Sequence, residues 1–312
     1  MPNYLEDLTE RLTRGLKLAL PADARAKHAA YLLSQQNPDG GFRGRSEESD
    51  LYYTGFALRG LALLDSWDES WSKPAADYLH KSLAGSASII DFLSLLYGAM
   101  LLQISTGADV FENARDGWRE AVVSKLEELR REDGGYAKGK DGAAGSTYHS
   151  FLVVLCHQLL AWPTPEPERL AQFVKGRQRD DGGFVEIPQM RRSGTNPTSA
   201  AIALLRILDR LDETTAQDAI EYLVERQDTD GGLTANTQIF ASDVLSTFTG
   251  LLTLADLGAA RRIKLPAVRR FVESNASPDG AFLAMSLDPV GDVEYTFYAL
   301  GSLALVADLE SR

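Results

Sequence analysis

The chain has 312 residues, which is long enough for two average domains, although a repeat array can absorb the whole length as one. Its net charge of −12 excludes general binding to nucleic acids or anionic membranes, which requires a basic face. The single cysteine, Cys156, excludes an internal disulfide and suits a reducing compartment. Acidic residues lie near the first residue, where a signal peptide would have a basic flank. No apolar run approaches the roughly 18 residues of a membrane span. The sequence therefore predicts a cytoplasmic protein.

Helical periodicity runs through the chain. Residues 3–19 are predicted to form a leading helix. Stretches such as 213–227 carry apolar residues at i, i+3 and i+4 with charges between them, which is typical of a helix with one solvated face. Stretches such as 50–64 and 291–306 are apolar nearly all round and rich in Ala and Leu. We expect buried helices there.

A glycine pair recurs between the two kinds of helix. The first glycines of the pairs are Gly40, Gly134, Gly182 and Gly231, and a variant of the pair is found at Gly280-Ala281. Their spacings of 94, 48, 49 and 49 residues predict six repeats of about 48 residues, with a degenerate copy at residues 83–86. An aspartate precedes each pair, and a bulky apolar residue follows it, at Phe42, Tyr136, Phe184, Leu233 and Phe282.

The repeat predicts a reversal turn followed by a capped inner helix. Asp-Gly-Gly tolerates positive φ, so it can end one helix and reverse the chain, and we expect the next bulky residue to pack beneath the turn. The predicted capping residues of the inner helices are Asp50, Ser146, Asn196, Ser242 and Asp292. Outer and inner helices in alternation predict an all-α (α/α)6 toroid that forms a single domain over residues 1–312, because an open array would expose a hydrophobic end.

The spacing Gln-x-x-x-Gly-x-Phe, found at residues 36–42 and 178–184, resembles the repeat of the protein prenyltransferase β-subunit and squalene–hopene cyclase superfamily. Segments 39–64 and 292–305 look like repeats of Rab geranylgeranyltransferase and farnesyltransferase β-subunits. The resemblance covers essentially the whole chain. It implies isoprenoid chemistry and an α-subunit-like protein partner.

The resemblance also implies a position for a catalytic zinc. Protein prenyltransferases hold it with an Asp-x-Cys pair at the start of one inner helix and a histidine at the start of the next. The matching positions are Asp243 and Leu245, and the histidine position falls on Tyr295. Leucine cannot ligate zinc and tyrosine rarely does, so zinc-thiolate chemistry is not expected. The Asp-x-Asp-Asp motif of class II cyclases is absent from the sequence.

Basic residues lie in loops that lead to the predicted mouth of the toroid. There the starts of the inner helices would converge, and their free N–H groups and dipoles favour anions. These residues would hold a diphosphate, as the resemblance implies, or they are solvated loop charges: Arg43, Arg45, Lys138, Lys140, Arg191 and Arg192.

Aromatic residues are frequent on the inner helices. Rings suit an apolar isoprenoid chain or a carbocation, although packing between helix layers is the alternative for any one of them. They are Tyr52, Tyr53, Phe56, Phe92, Tyr97, Tyr148, Phe151, Tyr295, Phe297 and Tyr298.

Acidic residues near the inner-helix starts are candidate catalytic acids or magnesium ligands, although Asp is also a preferred helix cap. They are Asp50, Asp91, Asp243, Asp292 and Glu294. Tyr295 is a further catalytic candidate. His149, at the start of the third inner helix, would contact a phosphate or relay a proton, or is structural.

These features favour an enzyme that binds a prenyl (diphosphate) chain in an aromatic-lined cavity, as a transferase or cyclase that is metal-independent or assisted by magnesium. The alternative is an inactive toroid that serves as a protein-interaction or lipid-binding module. A third class, carbohydrate-active (α/α)6 enzymes, needs paired carboxylates and commonly a tryptophan platform. All four tryptophans here are predicted on outer helices or connections.

Overall fold

The computed structural model describes residues 3–83, 85 and 88–312. Its described residues are mostly helical, as predicted. The α-helices are α1 (Tyr4–Ala19), α2 (Ala22–Ser34), α3 (Leu51–Leu63), α4 (Glu69–Ser82), α5 (Ile89–Thr106), α6 (Trp118–Glu127), α7 (Thr147–Leu159), α8 (Pro167–Lys175), α9 (Thr195–Ile207), α10 (Glu213–Val224), α11 (Val244–Asp256), α12 (Leu265–Ser274) and α13 (Val293–Glu310). Two two-residue strands, β1 (Leu233–Thr234) and β2 (Ser242–Asp243), pair antiparallel. The predicted degenerate turn at 83–86 includes Ala84 and Ser86, which lie outside the described residues.

The helices gather into two compact units. The first comprises Met1–Val122 and Val272–Arg312, and the second comprises Val123–Phe271. In the first unit α3 packs between α5 and α13, and α1 lies along α13. In the second unit α9 packs between α7 and α11. That residues 1–312 act as a single domain stays a prediction.

The two predicted kinds of helix are both present. In α8 and α10 the buried residues are confined to one face, where Leu170 and Val174 or Ala219 and Leu223 recur at helical spacing. In contrast, α13 is buried along nearly its whole length. The predicted leading helix is confirmed as α1, which begins at a capping box formed by Asn3 with Glu6. The sequence thus distinguishes outer from inner helices correctly.

Each Asp-Gly-Gly turn is closed by the same contacts. Gly40 has φ +93°, a region that favours glycine, and the corresponding glycines at 134, 182, 231 and 280 are also positive. In the first turn Asp39 Oδ1 accepts the N–H of Gly41 at 3.0 Å, and the aspartates at 133, 181, 230 and 279 accept the equivalent bond. The bulky residue that follows is fully buried in each turn, as predicted.

A hydroxyl on the next inner helix anchors each turn, and sequence reasoning missed this repeat. The buried N–H of Phe184 donates to Thr198 Oγ1 at 2.8 Å. The equivalent donor–acceptor pairs are Phe42 with Thr54, Tyr136 with Ser150, Leu233 with Thr247 and Phe282 with Thr296. The acceptor follows its donor by 14 residues in four turns and by 12 in the first. Turn and inner helix are therefore fixed to each other.

Three of the five predicted caps are confirmed. Asp50, Ser146 and Asp292 cap α3, α7 and α13. Asn196 is not a cap, because α9 begins at Thr195 with Gly194 at the cap position, and the Asn196 amide oxygen accepts a hydrogen bond from Thr249. Ser242 is also displaced from the cap position, because it pairs in β2 and donates to Asp230, so Asp243 caps α11 instead.

One described helix, α5, has the length and composition of a membrane span, with a mean hydropathy of 1.6 over Ile89–Thr106. The expectation that no apolar run approaches this length was therefore wrong. In the first unit 61% of this window is buried, which is typical of a core helix, so α5 is weak evidence for a span.

The hydroxyl anchor predicts a specific stability effect. Replacing Thr198 by Val keeps the side-chain shape but leaves the buried N–H of Phe184 without an acceptor, which should lower the free energy of unfolding by about 1–3 kcal/mol. Thr198→Ser should lose much less, because Ser150 already serves the same position in another turn. Urea denaturation of the three proteins measures the difference. If Thr198→Val and Thr198→Ser lost the same free energy of unfolding, the anchoring role of the hydroxyl would be contradicted.

Candidate functional site

Two predicted site acids open α13, and their roles differ. Asp292 caps the helix, since its Oδ1 accepts the N–H of Tyr295 at 2.9 Å, and its side chain is 1% exposed. Its Oδ2 also accepts a hydrogen bond from Arg45 Nε at 2.8 Å. Both oxygens of Asp292 are therefore engaged in holding the helix start and its neighbouring loop.

Arg45 is held by two carboxylates. Besides Asp292, its Nη2 donates to Asp288 Oδ2 at 2.6 Å and to the carbonyl of Val290 at 3.3 Å. The guanidinium carbon lies 5.6 Å from the centre of the Tyr295 ring. The hydrogen bonds to Asp292 and Asp288 raise the pKa of Arg45, and the bond from Arg45 lowers the pKa of Asp288. Binding an anion at Arg45, as predicted, would require these ion pairs to open.

Glu294, on the second position of α13, is an acid of a different kind. Burial raises its pKa to about 7, and a 2.6 Å hydrogen bond from the Tyr52 hydroxyl opposes that rise. The charge of Asp292 raises the pKa further, whereas Arg45 and Arg59 lower it. Glu294 therefore presents both a protonated and an ionised form near neutral pH, which suits proton transfer.

The ring that contacts this acid, Tyr52, belongs to a group of packed aromatic residues on two helices. Tyr52 and Phe56 of α3 lie 4.9 Å apart, and Phe56 lies 5.6 Å from Phe297 and 5.2 Å from Tyr298. Tyr295 lies 6.5 Å from Tyr298. All of these separations between ring centres are typical of favourable aromatic pairs. We call these five residues the aromatic cluster: it joins the inner helices α3 and α13 within the first unit.

In the second unit, His149 lies at the start of α7 with its tautomer fixed by neighbours. Ser146 caps the helix, and its Oγ lies 2.7 Å from His149 Nδ1 and donates to Glu186 Oε1. A carboxylate only accepts, so the one hydroxyl proton goes to Glu186 and Nδ1 must be the donor to Ser146. His149 Nε2 is buried without a hydrogen-bond partner in the described part of the chain.

The residues at the zinc position of the resembling family do not fit zinc. Asp243 caps α11 and accepts from the Ser246 N–H and hydroxyl, both at 2.7 Å, and burial raises its pKa. Leu245 offers no donor atom. Cys156 is fully buried mid-way along α7, where burial raises the pKa of the thiol. Among the described residues no group of three or more His, Cys, Asp or Glu could hold a metal ion.

The remaining predicted acids and tyrosines hold local structure. Asp50 caps α3 by accepting the N–H groups of Tyr52 and Tyr53 at 2.7 and 3.2 Å, and it is exposed. The ring of Tyr53 packs against Tyr52 at 5.3 Å. The N–H of Tyr148 donates to Glu186 at 3.3 Å.

The loop bases do not share one environment. Arg191 and Arg192 are exposed, as is Lys138. Lys140 pairs with Glu128 at 2.6 Å, and Arg43 makes a 3.4 Å bond to Gln35. Their predicted role in binding an anion stays a prediction, as do the catalytic roles of the acids.

Sequence reasoning missed Arg59, Asp288 and Glu186. A signal for Arg59 exists, because it is the only charge between residues 51 and 63 and follows Tyr52 and Phe56 at i+7 and i+3 on one helical face. Glu186 and Asp288 lie in loops between a turn and an inner helix, and neither residue recurs at the equivalent position of another repeat.

The raised pKa of Glu294 predicts an unusual pH dependence of stability. Between its ordinary value of 4.5 and about 7 the unfolded chain has lost this proton while the folded chain keeps it. The free energy of unfolding should therefore fall as pH rises across this interval, by on the order of 2–3 kcal/mol from this group. Glu294→Gln should remove that contribution. Urea denaturation of both proteins from pH 4.5 to 7.5 isolates the contribution of Glu294, because the contributions of other groups cancel in the difference between the two proteins. If the free energies of unfolding of the two proteins changed in parallel with pH, the prediction would be contradicted.

Comparison with curated proteins finds two relatives that each match part of the chain. It is 25% identical over 203 residues to the geranylgeranyl transferase type-1 β subunit of Arabidopsis thaliana, covering 61% of this chain and 53% of that protein. It is 30% identical over 117 residues to drimenyl diphosphate synthase of Streptantibioticus cattleyicolor, covering 37% of this chain and 22% of that protein. The chain thus spans about half the length of the first relative and about a fifth of the second.

Solved structures share the fold. Candida albicans protein geranylgeranyltransferase-I complexed with GGPP matches with a TM-score of 0.73 at 17% identity, over 90% of both chains. The type II terpene cyclase MstE from Scytonema matches with a TM-score of 0.63 at 15% identity, over 94% of this chain and 98% of that one.

A family model, the prenyltransferase alpha-alpha toroid domain, matches residues 13–238 and 207–312. The match confirms the predicted fold class, an all-α toroid of helix-pair repeats, and the predicted superfamily. This chain belongs to the prenyltransferase alpha-alpha toroid family, with relatives among geranylgeranyltransferase β subunits and terpene cyclases.

Proposed function

We propose that this chain binds an isoprenoid chain against the aromatic cluster and transfers or cyclises it with Glu294 as the acidic group at the ligand. The observation that carries the proposal is that Glu294, an acid with a pKa of about 7, accepts a hydrogen bond from Tyr52, one member of the aromatic cluster. Membership of the family supports it, because the Candida relative is described with GGPP bound.

The aromatic cluster suits the apolar part of such a ligand. Phe56, Phe297 and Tyr298 are buried, whereas Tyr52 and Tyr295 are half-buried toward the start of the helices. An apolar chain in contact with Tyr52 and Tyr295 would lose water-exposed surface, which stabilises binding by about 25 cal/mol for each Å² removed from water.

Glu294 would supply the acid–base chemistry without a zinc-bound thiolate. In its protonated form it donates a proton, and in its ionised form it accepts one, and the Tyr52 hydroxyl orients it through a 2.6 Å bond. Magnesium would enter with a diphosphate, since it commonly binds through one or two carboxylates and substrate phosphates.

A second candidate function, a protein-interaction module, is favoured by apolar side chains on loop tips. In the second unit Phe240 is 88% exposed, and Ile239 and Met190 are also exposed in loops that precede inner helices. An α-subunit-like protein would be one partner that binds to these loops. This candidate gains weight if the chain fails to bind isoprenoids.

The proposal is tested by isothermal titration calorimetry with farnesyl and geranylgeranyl diphosphate, followed by mass spectrometry for products. We expect at least one diphosphate to bind. Phe56→Leu should weaken binding about 2- to 10-fold, because the buried Phe56 ring holds Tyr52 in place and an aromatic pair contributes about 0.5–1.5 kcal/mol beyond its area.

Phe111→Leu is the matched control. It removes the same ring from the Phe111–Trp118 pair, outside the aromatic cluster but also in the first unit, and should leave binding unchanged. The proposal fails if the unaltered protein binds neither diphosphate, or if the two variants weaken binding equally.

A further inference from the structure

Arg59 brings a positive charge into the aromatic surroundings of Glu294. It follows Tyr52 and Phe56 along one face of α3. Its guanidinium carbon lies 4.7 Å from the centre of the Phe56 ring and 4.8 Å from that of Tyr97. Tyr97, on α5, is buried, and its hydroxyl lies 2.6 Å from the Thr9 hydroxyl of α1. The guanidinium is thus held by two ring faces in the first unit.

These rings leave the donors of Arg59 unused. Within the described residues its Nε is buried without a hydrogen-bond partner, and no carboxylate lies within ion-pair distance of the side chain. A guanidinium carries five N–H donors, and a buried donor that lacks an acceptor costs free energy. Ring faces compensate the charge in part, but they accept no strong hydrogen bond.

The contrast with Arg45 is informative. Arg45 also lies beside a ring, yet its donors are taken by Asp292, Asp288 and a backbone carbonyl. The carboxyl that interacts with Arg59 is Glu294, whose pKa of about 7 leaves it only partly ionised at neutral pH. Of these two arginines, Arg59 is therefore the one whose charge is not already neutralised.

The sign of the charge restricts what can sit beside it. A carbocation next to Arg59 would be repelled, whereas an anion would gain both Coulomb energy and charge-assisted hydrogen bonds. Arginine matches the two oxygens of a carboxylate or a phosphate with parallel N–H groups. Arg59 is only partly buried as a residue, so a ligand can reach it.

We propose that Arg59 binds an anionic group, a carboxylate or a diphosphate, of the ligand that occupies the aromatic cluster. This inference rests on the proposed function. It assigns anion recognition to a single arginine on an inner helix rather than to the loop bases, and it orients the ligand with its anionic group toward Arg59 and Tyr97.

The test compares three ligands with one tail and different head groups: farnesol, farnesoic acid and farnesyl diphosphate. Calorimetric dissociation constants of the unaltered protein should be at least tenfold lower for an anionic ligand than for farnesol. The stronger of the two anions identifies the head group. Arg59→Met, which keeps an apolar stem over the rings, should abolish the preference with farnesol binding unchanged.

Arg59→Lys and Arg192→Met complete the design. Lysine keeps the charge without the paired donors, so part of the preference should remain, and this variant also serves if the methionine protein does not fold. Arg192 is one of the exposed loop bases that are the alternative anion site, so the preference should persist in Arg192→Met if Arg59 rather than the loops binds the anion. Retention of the preference in Arg59→Met, or its loss in Arg192→Met, would overturn the assignment. If farnesol binds and no anion is preferred, only this inference fails, whereas absence of binding by all three ligands removes the proposed function itself.

Discussion

The structure depends on one hydrogen bond repeated at each described Asp-Gly-Gly turn. The turn buries an N–H group beneath the chain reversal, at Phe184 for example, and a buried donor must find an acceptor. The inner helix provides that acceptor with a hydroxyl near its first turn, such as Thr198. This bond sets where each inner helix begins relative to its turn. Because Tyr52, Glu294 and Tyr295 lie in the first turns of inner helices, their positions follow from the same bond.

The helix starts also explain why neighbouring acids differ. An aspartate at the cap accepts backbone N–H groups, so Asp292 and Asp243 are engaged in structure before any ligand arrives. Glu294 lies two residues beyond a cap, with a longer side chain that reaches Tyr52 instead of its own backbone. Burial then raises the pKa of Glu294 without a compensating set of N–H donors. Asp292, which is structural, and Glu294, which is suited to proton transfer, are therefore only two residues apart in the sequence.

Much of the fold could be predicted from the sequence, because the glycine pairs, their aspartates and the helical periodicity are properties of single residues and fixed spacings. The predicted caps failed at Asn196 and Ser242, where a second capping-type residue lay nearby and only the tertiary pairing decided between them. The site was harder to predict. Which acid would be buried, and that Arg45 would meet Asp288, depend on contacts between segments more than 200 residues apart. Arg59 could be recognised in the sequence as a lone charge on an apolar helix. Its role could not be predicted, because that role depends on its contacts with the Phe56 and Tyr97 rings.

The first unit is discontinuous along the chain, since it closes only when α13 joins α1 and α3. Gly15 of α1 lies so close to the backbone of Ala304 that a β-carbon there would collide with its carbonyl, and Arg11 pairs with Asp308. During synthesis α1 and α3 leave the ribosome long before α13, while the whole of the second unit is translated in between. In the nascent chain the apolar side of α1, with Leu12 and Leu16, therefore stays exposed until α13 has been synthesised. A transiently exposed apolar surface of this kind is what a chaperone would recognise.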